Sequence, residues 1–366
     1  MILDRPLIGI NLLYVRPGYI GGTVRYAHEL LRHLIRTEKF RWKIYVQQEA
    51  FPIADSLLAE IPKVEFRVIG GLAGRVFIEH MVLPFIAQKD GIDLLFSPGF
   101  VSPLWGRFLK VVTIHDLYYK RFPAFVRQWQ RRYWQIFVPR SIHVADAVIA
   151  VSDSTRDDLC AAFPESANKV RRIYLGADSL PSSQIIPEKE NRPYCLVVGN
   201  ITPNKNIETV VSALSILKKK QQGIRLIVAG SDFFGLLRAS LSQTMVMPDI
   251  ELLEHVSDDL LSRLYAQACC LIQASHYEGF GLPVAEAMAM GCPVIASNIS
   301  VLREVCGEAA IYFSPLSPEA LAEAIQMLIA NDARRKYYID RGREVSANFR
   351  WEKTAQETSN LFEKLL

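Results

Sequence analysis

The chain has 366 residues, half of them hydrophobic, which exceeds what one core of ordinary size organises and points to two domains. Its 42 Lys and Arg barely outweigh 38 Asp and Glu, but residues 1–183 carry 24 bases against 17 acids and the remainder 18 against 21; a basic first half suits an anionic ligand, a membrane surface or nucleic acid without choosing among them. No apolar run approaches the roughly 18 residues of a spanning helix, the start MILDRPLIGINLLYV has no leader pattern, and six cysteines lie mostly in apolar surroundings with no CxxC pair and no His at metal spacing, so a reduced, cytoplasmic protein with packed thiols is expected.

In chain order, PLIGINLLYV reads as a strand and TVRYAHELLRHLIR as a helix with apolar residues three and four apart. WKIYVQ and VEFRVIG follow as strands, RVFIEHMVLPFIA as a helix, then DLLFSP and KVVTIH as strands. AVIAVS precedes a helix opened by SDSTRDDL, with Ser152 or Asp153 as its cap. SLPSSQIIPEKENRP has no period and is rich in Pro and Ser. It is the expected linker, 181–193, between a domain of 1–180 and one of 194–350.

The second half repeats the scheme. YCLVVG is a strand, NIETVVSALSILKKK a helix, IRLIVAG and IELLEHV strands, SDDLLSRLYAQA a helix, and CCLIQAS, PVIAS and AIYFS strands. The last 50 residues read as helical, and the final helix, 351–366, is expected to pack back on the first domain. Short β-branched runs alternating with helices make this an α/β protein of two doubly wound, mostly parallel sheets. Ligands of such sheets bind beyond the strands' carboxyl ends, so a cleft between the domains is the expected site.

HYEGFGLPVAEAMAMGCPVIASN, residues 276–298, holds two acids and no base in a stretch that otherwise reads as core. Glu278 falls in the loop after CCLIQAS. Pro283 suits the first position of a helix closed by Gly291, which puts Glu286 in the first turn. The two acids are poorly placed to share a metal. Gly279 and Gly281 let backbone approach a ligand, and the amides near Leu282, Val284 and Ala285 make a helix N-terminus that favours phosphate. Phosphates beside carboxylates that accept from hydroxyls describe a nucleotide sugar. The plainer alternative is a Glu286 that only complements the helix dipole, beside an ordinary turn.

EGFGLPVAEAMAMGCPVIAS closely resembles the Glu-x7-Glu signature of the retaining glycosyltransferases of family four. VGNITPNKN resembles the opening of that family's second domain, a glycine turn followed by a base, and SVLREVCGEAAIYFSPLSPEALAEAI follows its tail. The resemblance implies the GT-B fold, two Rossmann-like domains facing each other across a deep cleft. It implies that Glu278 faces the transferred sugar's hydroxyls near the reacting carbon, and that Glu286 takes the ribose hydroxyls. The backbone of Gly279, Phe280, Gly281 and Leu282 would contact sugar and phosphate, and Lys205 would neutralise the diphosphate. Family members usually add an Arg directly after the glycine or before the lysine. Asn200 and Asn204 stand at those positions here, so the diphosphate clamp lacks a charge, with Asn200 kept among the donor-binding candidates. The base is expected near Val256 and Ser257, through main-chain atoms. The pattern leans towards mannosyltransferase-like members, which use GDP-mannose to build cell-surface polysaccharides such as lipopolysaccharide.

In the first half, Gly21 and Gly22 of GYIGGTVRY form no GxGxxG fingerprint, but at the mouth of a parallel sheet they permit close approach of phosphate or acceptor. The family has a glycine-rich loop there. His115 and Asp116 follow the KVVTIH strand and resemble the family's His-Asp pair lining the sugar site. His115 is expected to contact donor sugar or acceptor, and Asp116 to orient the loop or the His. Residues 117–141, LYYKRFPAFVRQWQRRYWQIFVPRS, hold eight aromatics, six Lys or Arg and no acid. Phe125, Trp129, Arg132, Ile136 and Arg140 follow helical spacing, and Tyr133 and Phe137 widen the apolar face. Two readings stay open: a helix packed on its domain with a basic outer face, or an interfacial surface, 118–141, that meets anionic lipid or a lipid-diphosphate acceptor at the membrane's inner face. Nucleic acid has no other support.

No Asp-x-Asp triplet occurs, so no metal and no cofactor is expected, and helix N-termini with Lys205 would stabilise the leaving diphosphate. Retaining glycosidases use carboxylates about 5 Å apart. The resemblance instead sends one glutamate to the sugar and one to ribose, and front-face attack is the expected route. The acceptor, a hydroxyl of a glycan or lipid-linked oligosaccharide, would give its proton to the departing phosphate. The rival readings are a non-catalytic nucleotide-sugar or glycan-binding module and a GT-B sugar epimerase. A dinucleotide oxidoreductase is disfavoured, because no GxGxxG follows any strand.

Overall fold

The structure, a computed structural model, describes residues 5–16, 21–48, 58, 60–181, 193–221, 223–244 and 246–366. Residues 17–20 of the expected glycine loop, and all of the expected linker but its two ends, lie outside them. The chain forms two compact units, Met1–Gly176 with Trp351–Leu366, and Ala177–Arg350.

The first unit is built on seven strands: β1 (Leu7–Leu12), β2 (Arg41–Gln47), β3 (Lys63–Phe66), β4 (Leu94–Ser97), β5 (Leu109–Ile114), β6 (Ala147–Ala150) and β7 (Val170–Arg172). They pair in parallel in the order β3-β2-β1-β4-β5-β6-β7. β4 and β6 are buried along their whole length, as the unbroken apolar runs of a sheet covered on both faces require. Ser152 caps the helix Asp153–Ala162 by accepting from the Thr155 amide at 2.9 Å.

RVFIEHMVLPFIA is helical, but not with one regular pitch. A helix over Gly71–Phe77 passes through a π turn at Ile78–Val82 into a second helix, Leu83–Lys89. The segment turns its polar residues inward: Glu79 is 1% exposed, while Phe77, Met81 and Phe85 are 60%, 56% and 66% exposed. Glu79 is retained inside because it is fully engaged. One oxygen accepts from Asn11 of β1 at 3.0 Å and the other from the Tyr133 hydroxyl at 3.1 Å, with the Arg75 guanidinium 3.7 Å away.

The final helix, Trp351–Leu365, lies along the helix Gly22–Ile35 of this unit. Trp351 and Phe362 are fully buried, and Thr354 donates to the Tyr174 carbonyl at 2.8 Å. The approach is close enough that a Cβ on Gly176 would stand 2.3 Å from the Trp351 nitrogen.

The second unit carries β8 (Tyr194–Val198), β9 (Arg225–Ala229), β10 (Ile250–Leu253), β11 (Cys270–Gln273), β12 (Val294–Ser297) and β13 (Ala310–Phe313). All pair in parallel in the order β10-β9-β8-β11-β12-β13. This is the Rossmann order, and its direction reverses between β8 and β11, where such sheets bind ligands beyond the strand ends. Cys195 and Cys270 sit opposite each other on those two strands, Sγ to Sγ 3.5 Å. Both are free thiols, as are the other four cysteines. Burial pushes the Cys306 thiol up to about 12, which leaves it protonated and unreactive. Among the described residues no helix is long and apolar enough to cross a membrane.

Candidate active site

Two loops leave the sheet of the second unit at its point of reversal, one after β8 and one after β11. The first turns at Gly199, with φ +109°, and runs through a 3-10 turn, Pro203–Lys205. Asn206 follows at φ +54°, its amide donating to the carbonyls of Ala274 and Pro315 at 3.0 and 2.7 Å. Asn tolerates that left-handed conformation better than most residues. Asn204 stitches the loops together: its carbonyl accepts from the His276 amide at 2.8 Å, and its side chain donates to the Tyr277 carbonyl at 3.0 Å.

The stitching brings two residues 73 positions apart into contact. Lys205 Nζ donates to Glu278 Oε1 at 2.7 Å. The same oxygen accepts from Gln273 Nε2 at 2.7 Å and from Ser275 Oγ at 2.6 Å. A base and an acid expected on neighbouring parts of one ligand are thus neighbours, and in this structure they neutralise each other. The amine also lies beside the turn, since a Cβ on Gly199 would be 3.8 Å from it.

Several expectations for this loop are corrected. The helix runs Leu282–Ala289 with Pro283 at its second residue, so Glu286 stands one turn in, not in the first turn. It is 3% exposed, and its Oε2 accepts the Tyr265 hydroxyl at 3.1 Å. The amides of Val284 and Ala285 both bond the Gly281 carbonyl, at 3.0 and 3.4 Å, and are not available to phosphate. The Gly281–Leu282 edge is what the helix start offers a ligand. Gly281 needs to be glycine: φ is +87°, and a Cβ would meet Leu302 at 2.9 Å. Gly279 does not have a positive φ. The Phe280 ring is buried and packs edge-on against Phe349, centroids 5.5 Å apart, so only its backbone remains for donor contact. Asn200 accepts from the Ser231 amide at 3.2 Å, tying its loop to the one after β9. Val256 lies between β10 and the helix Asp258–Gln267, next to the cap Ser257, which accepts from the Leu260 amide.

Gln273 and Tyr265 escaped the sequence reading. Tyr265 looks like an ordinary core residue of its helix. Gln273 left one signal, a lone amide closing an otherwise apolar strand.

In the first unit, His115 follows β5 and is 8% exposed. Its Nε2 lies 2.8 Å from the Pro98 carbonyl, which can only accept, so Nε2 carries the proton and Nδ1 is the ring's acceptor. Burial pulls the imidazole down to about 4, the Pro98 hydrogen bond opposing only in part. Asp116 orients the loop, accepting from the Tyr118 amide at 2.8 Å. Gly21 is the extended residue before the helix Gly22–Ile35, whose first turn has no acid and no side-chain cap. A Cβ on Gly22 would meet no protein atom within 4 Å.

The helix of the aromatic stretch spans Gln128–Val144. Tyr133 and Phe137 do not widen an outer apolar face, because they turn inward, Phe137 stacking on His80 at 4.2 Å. Trp129, Arg132, Ile136 and Arg140 are exposed along one face, with Phe125 just before it.

Residues 20–179 match the family described as Glycosyltransferase Family 4, and residues 180–345 match Glycosyl transferases group 1. Over 294 residues, 76% of each chain, the protein is 28% identical to O-antigen chain mannosyltransferase B of Escherichia coli. It is 28% identical over 218 residues to O-antigen chain mannosyltransferase RfbU of Salmonella typhimurium, covering 59% of this chain and 60% of that protein. Among solved structures, sucrose-phosphate synthase from Thermosynechococcus elongatus superposes with a TM-score of 0.77 over 99% of both chains at 21% identity. WaaG, a glycosyltransferase of lipopolysaccharide biosynthesis, does so at 0.77 over 97% of this chain and 99% of its own, at 14% identity.

Proposed function

From the chain's membership of the family four glycosyltransferases, built on the GT-B fold, we propose that it transfers mannose, with retention, from GDP-mannose to a hydroxyl of a glycan or lipid-linked oligosaccharide in cell-surface polysaccharide synthesis. The observation that carries this is the Lys205–Glu278 pair, 2.7 Å apart, at the loops leaving β8 and β11. A cation for a diphosphate and a carboxylate for sugar hydroxyls stand within one ligand's length, where a Rossmann sheet binds nucleotides.

Lys205 turns to the diphosphate as charge develops on it, with the Gly281–Leu282 edge adding a main-chain donor. No metal is needed in this scheme. Glu278 holds the transferred hexose by its hydroxyls, and the family signature assigns the ribose to Glu286, whose carboxylate Tyr265 keeps in place. His115 offers Nδ1 to a substrate hydroxyl. The acceptor attacks on the face the diphosphate leaves, and its proton passes to the departing phosphate oxygen.

The test is transfer from a panel of nucleotide sugars, with anomeric configuration read by NMR, in native protein and Glu278→Ala. Native turnover with retained configuration, undiminished by a chelator, is expected. Glu278→Ala should lose turnover by two or more orders of magnitude, on the order of an electrostatic catalytic group, and still bind GDP. A covalent glycosyl-Glu278 adduct formed from donor alone would overturn the front-face route.

The protein also meets the membrane through a face of its first unit. The exposed Trp129, Ile136, Arg132 and Arg140 combine apolar and basic groups as an interfacial helix does, and would hold the enzyme near a lipid-linked acceptor.

A further inference from the structure

Gln273 closes β11 with its side chain 2% exposed. A buried amide needs partners, and its Nε2 donates to Ser275 Oγ at 3.0 Å and to Glu278 Oε1 at 2.7 Å. Chemistry fixes the amide's orientation, because the flipped form would set its oxygen against a carboxylate. Ser275, fully buried, passes its one hydrogen to the same Oε1 at 2.6 Å. With Lys205 at 2.7 Å, three donors converge on one oxygen. Among the described residues no hydrogen bond reaches Oε2, which is left as the acceptor of this carboxylate.

The three donors differ in what can move them. Gln273 belongs to a strand paired on both sides, and Ser275 lies two residues beyond it. Lys205 reaches Glu278 on a flexible four-carbon stem and carries the one charge that a diphosphate would compete for. We propose that Gln273 is the positioning residue for Glu278: it keeps Oε1 anchored when Lys205 turns to the diphosphate, so that Oε2 stays aimed at the hydroxyls of the transferred sugar. The inference rests on the reading of this loop pair as a nucleotide-sugar site. It assigns the buried amide a task that neither an aliphatic nor an acidic side chain at 273 performs. An aliphatic one donates nothing, and an ionised acid repels Glu278.

The experiment compares native protein with Gln273→Met and Gln273→Glu, reading kcat and KM for the nucleotide sugar, Kd for the sugarless nucleoside diphosphate, and activity from pH 8 to pH 5. Gln273→Met should lower kcat about 10- to 100-fold, the worth of one hydrogen bond to a charged group, with Kd for the diphosphate nearly unchanged. Gln273→Glu should be as impaired at pH 8. It should recover relative to native as the pH falls, because like charge raises the proton affinity of the pair and the bound proton restores a donor. A role in packing alone gives no such acid rescue, and this profile decides even where Gln273→Met folds poorly. The proposal falls if Gln273→Met keeps kcat near native, if diphosphate affinity drops in parallel with kcat, or if Gln273→Glu shows no acid recovery. Native protein that neither binds nor turns over any nucleotide sugar overturns the site reading and the inference together. Native turnover with an indifferent Gln273→Met overturns the inference alone.

Discussion

His115 shows how far one buried side chain commits the protein to a range of pH. Its folded value of about 4 lies below the ordinary 6.5, so between the two the unfolded chain takes up a proton that the folded unit refuses. The stability tied to the neutral ring is whole above pH 6.5 and drains away as pH falls to 4, by up to about 3 kcal/mol. Denaturant midpoints at pH 7 and pH 4.5 should therefore fall further for native protein than for His115→Gln, and equal losses would discard this account. The placement of His115, Lys205 and Glu278 on loops that follow strands was legible in the sequence, and strand ends are where such sheets bind. The Lys205–Glu278 contact was not. It depends on Asn204 bonding to the His276 and Tyr277 backbone, a pairing between distant segments that no local pattern encodes. The same holds for Glu286, whose acid reads as a helix-start residue until Tyr265 is seen to hold it inside.

At the scale of elements, strands and most helices follow their periodicity, and Gly71–Lys89 does not. Phe77, Met81 and Phe85, spaced four apart, are its exposed residues and Glu79 is the buried one. All three stay on one face through the π turn at Ile78–Val82, so what differs is which face the segment buries. Removing the acid while its partners stay should be costly: Glu79→Ala leaves Arg75, Asn11 and Tyr133 facing a gap, for about 3–5 kcal/mol, measurable by chemical denaturation. Loss under about 1 kcal/mol would show that the network contributes little net stability. The outward stripe has a consequence of its own. The Gly71–Lys89 segment packs on the aromatic helix through Arg75 over Tyr133 and His80 on Phe137, and Phe77, Met81 and Phe85 are exposed on the same unit as Trp129 and Ile136. In sedimentation with anionic vesicles, the protein should bind and Phe77→Asp/Phe85→Asp should release it. Raised salt should weaken binding through the screened arginines. Equal binding by the double variant would remove this face from membrane contact.

For the molecule as a whole, the alternation of strands and helices announced two doubly wound units, and the expected division near residue 180, with 351–366 returning to the first domain, lies close to the observed one at Gly176 and Trp351. Nothing in the periodicity of WEKTAQETSNLFEKLL states which unit it serves. The answer lies in Trp351 and Phe362, fully buried in the first unit. Trp351→Ala should therefore destabilise the first unit by about 3–5 kcal/mol. Hydrogen exchange should report the loss in β1, β4 and β5 and spare β8 to β13; a loss confined to the second unit would contradict the assignment. The returning helix also sets an order of events during synthesis. Ala177–Arg350 is whole in the nascent chain before Trp351–Leu365 has been made, so the half that leaves the ribosome first waits longest for its last structural piece. A chain released at residue 350 would carry every residue of the second unit and a first unit with the apolar seam of Gly22–Ile35 still open.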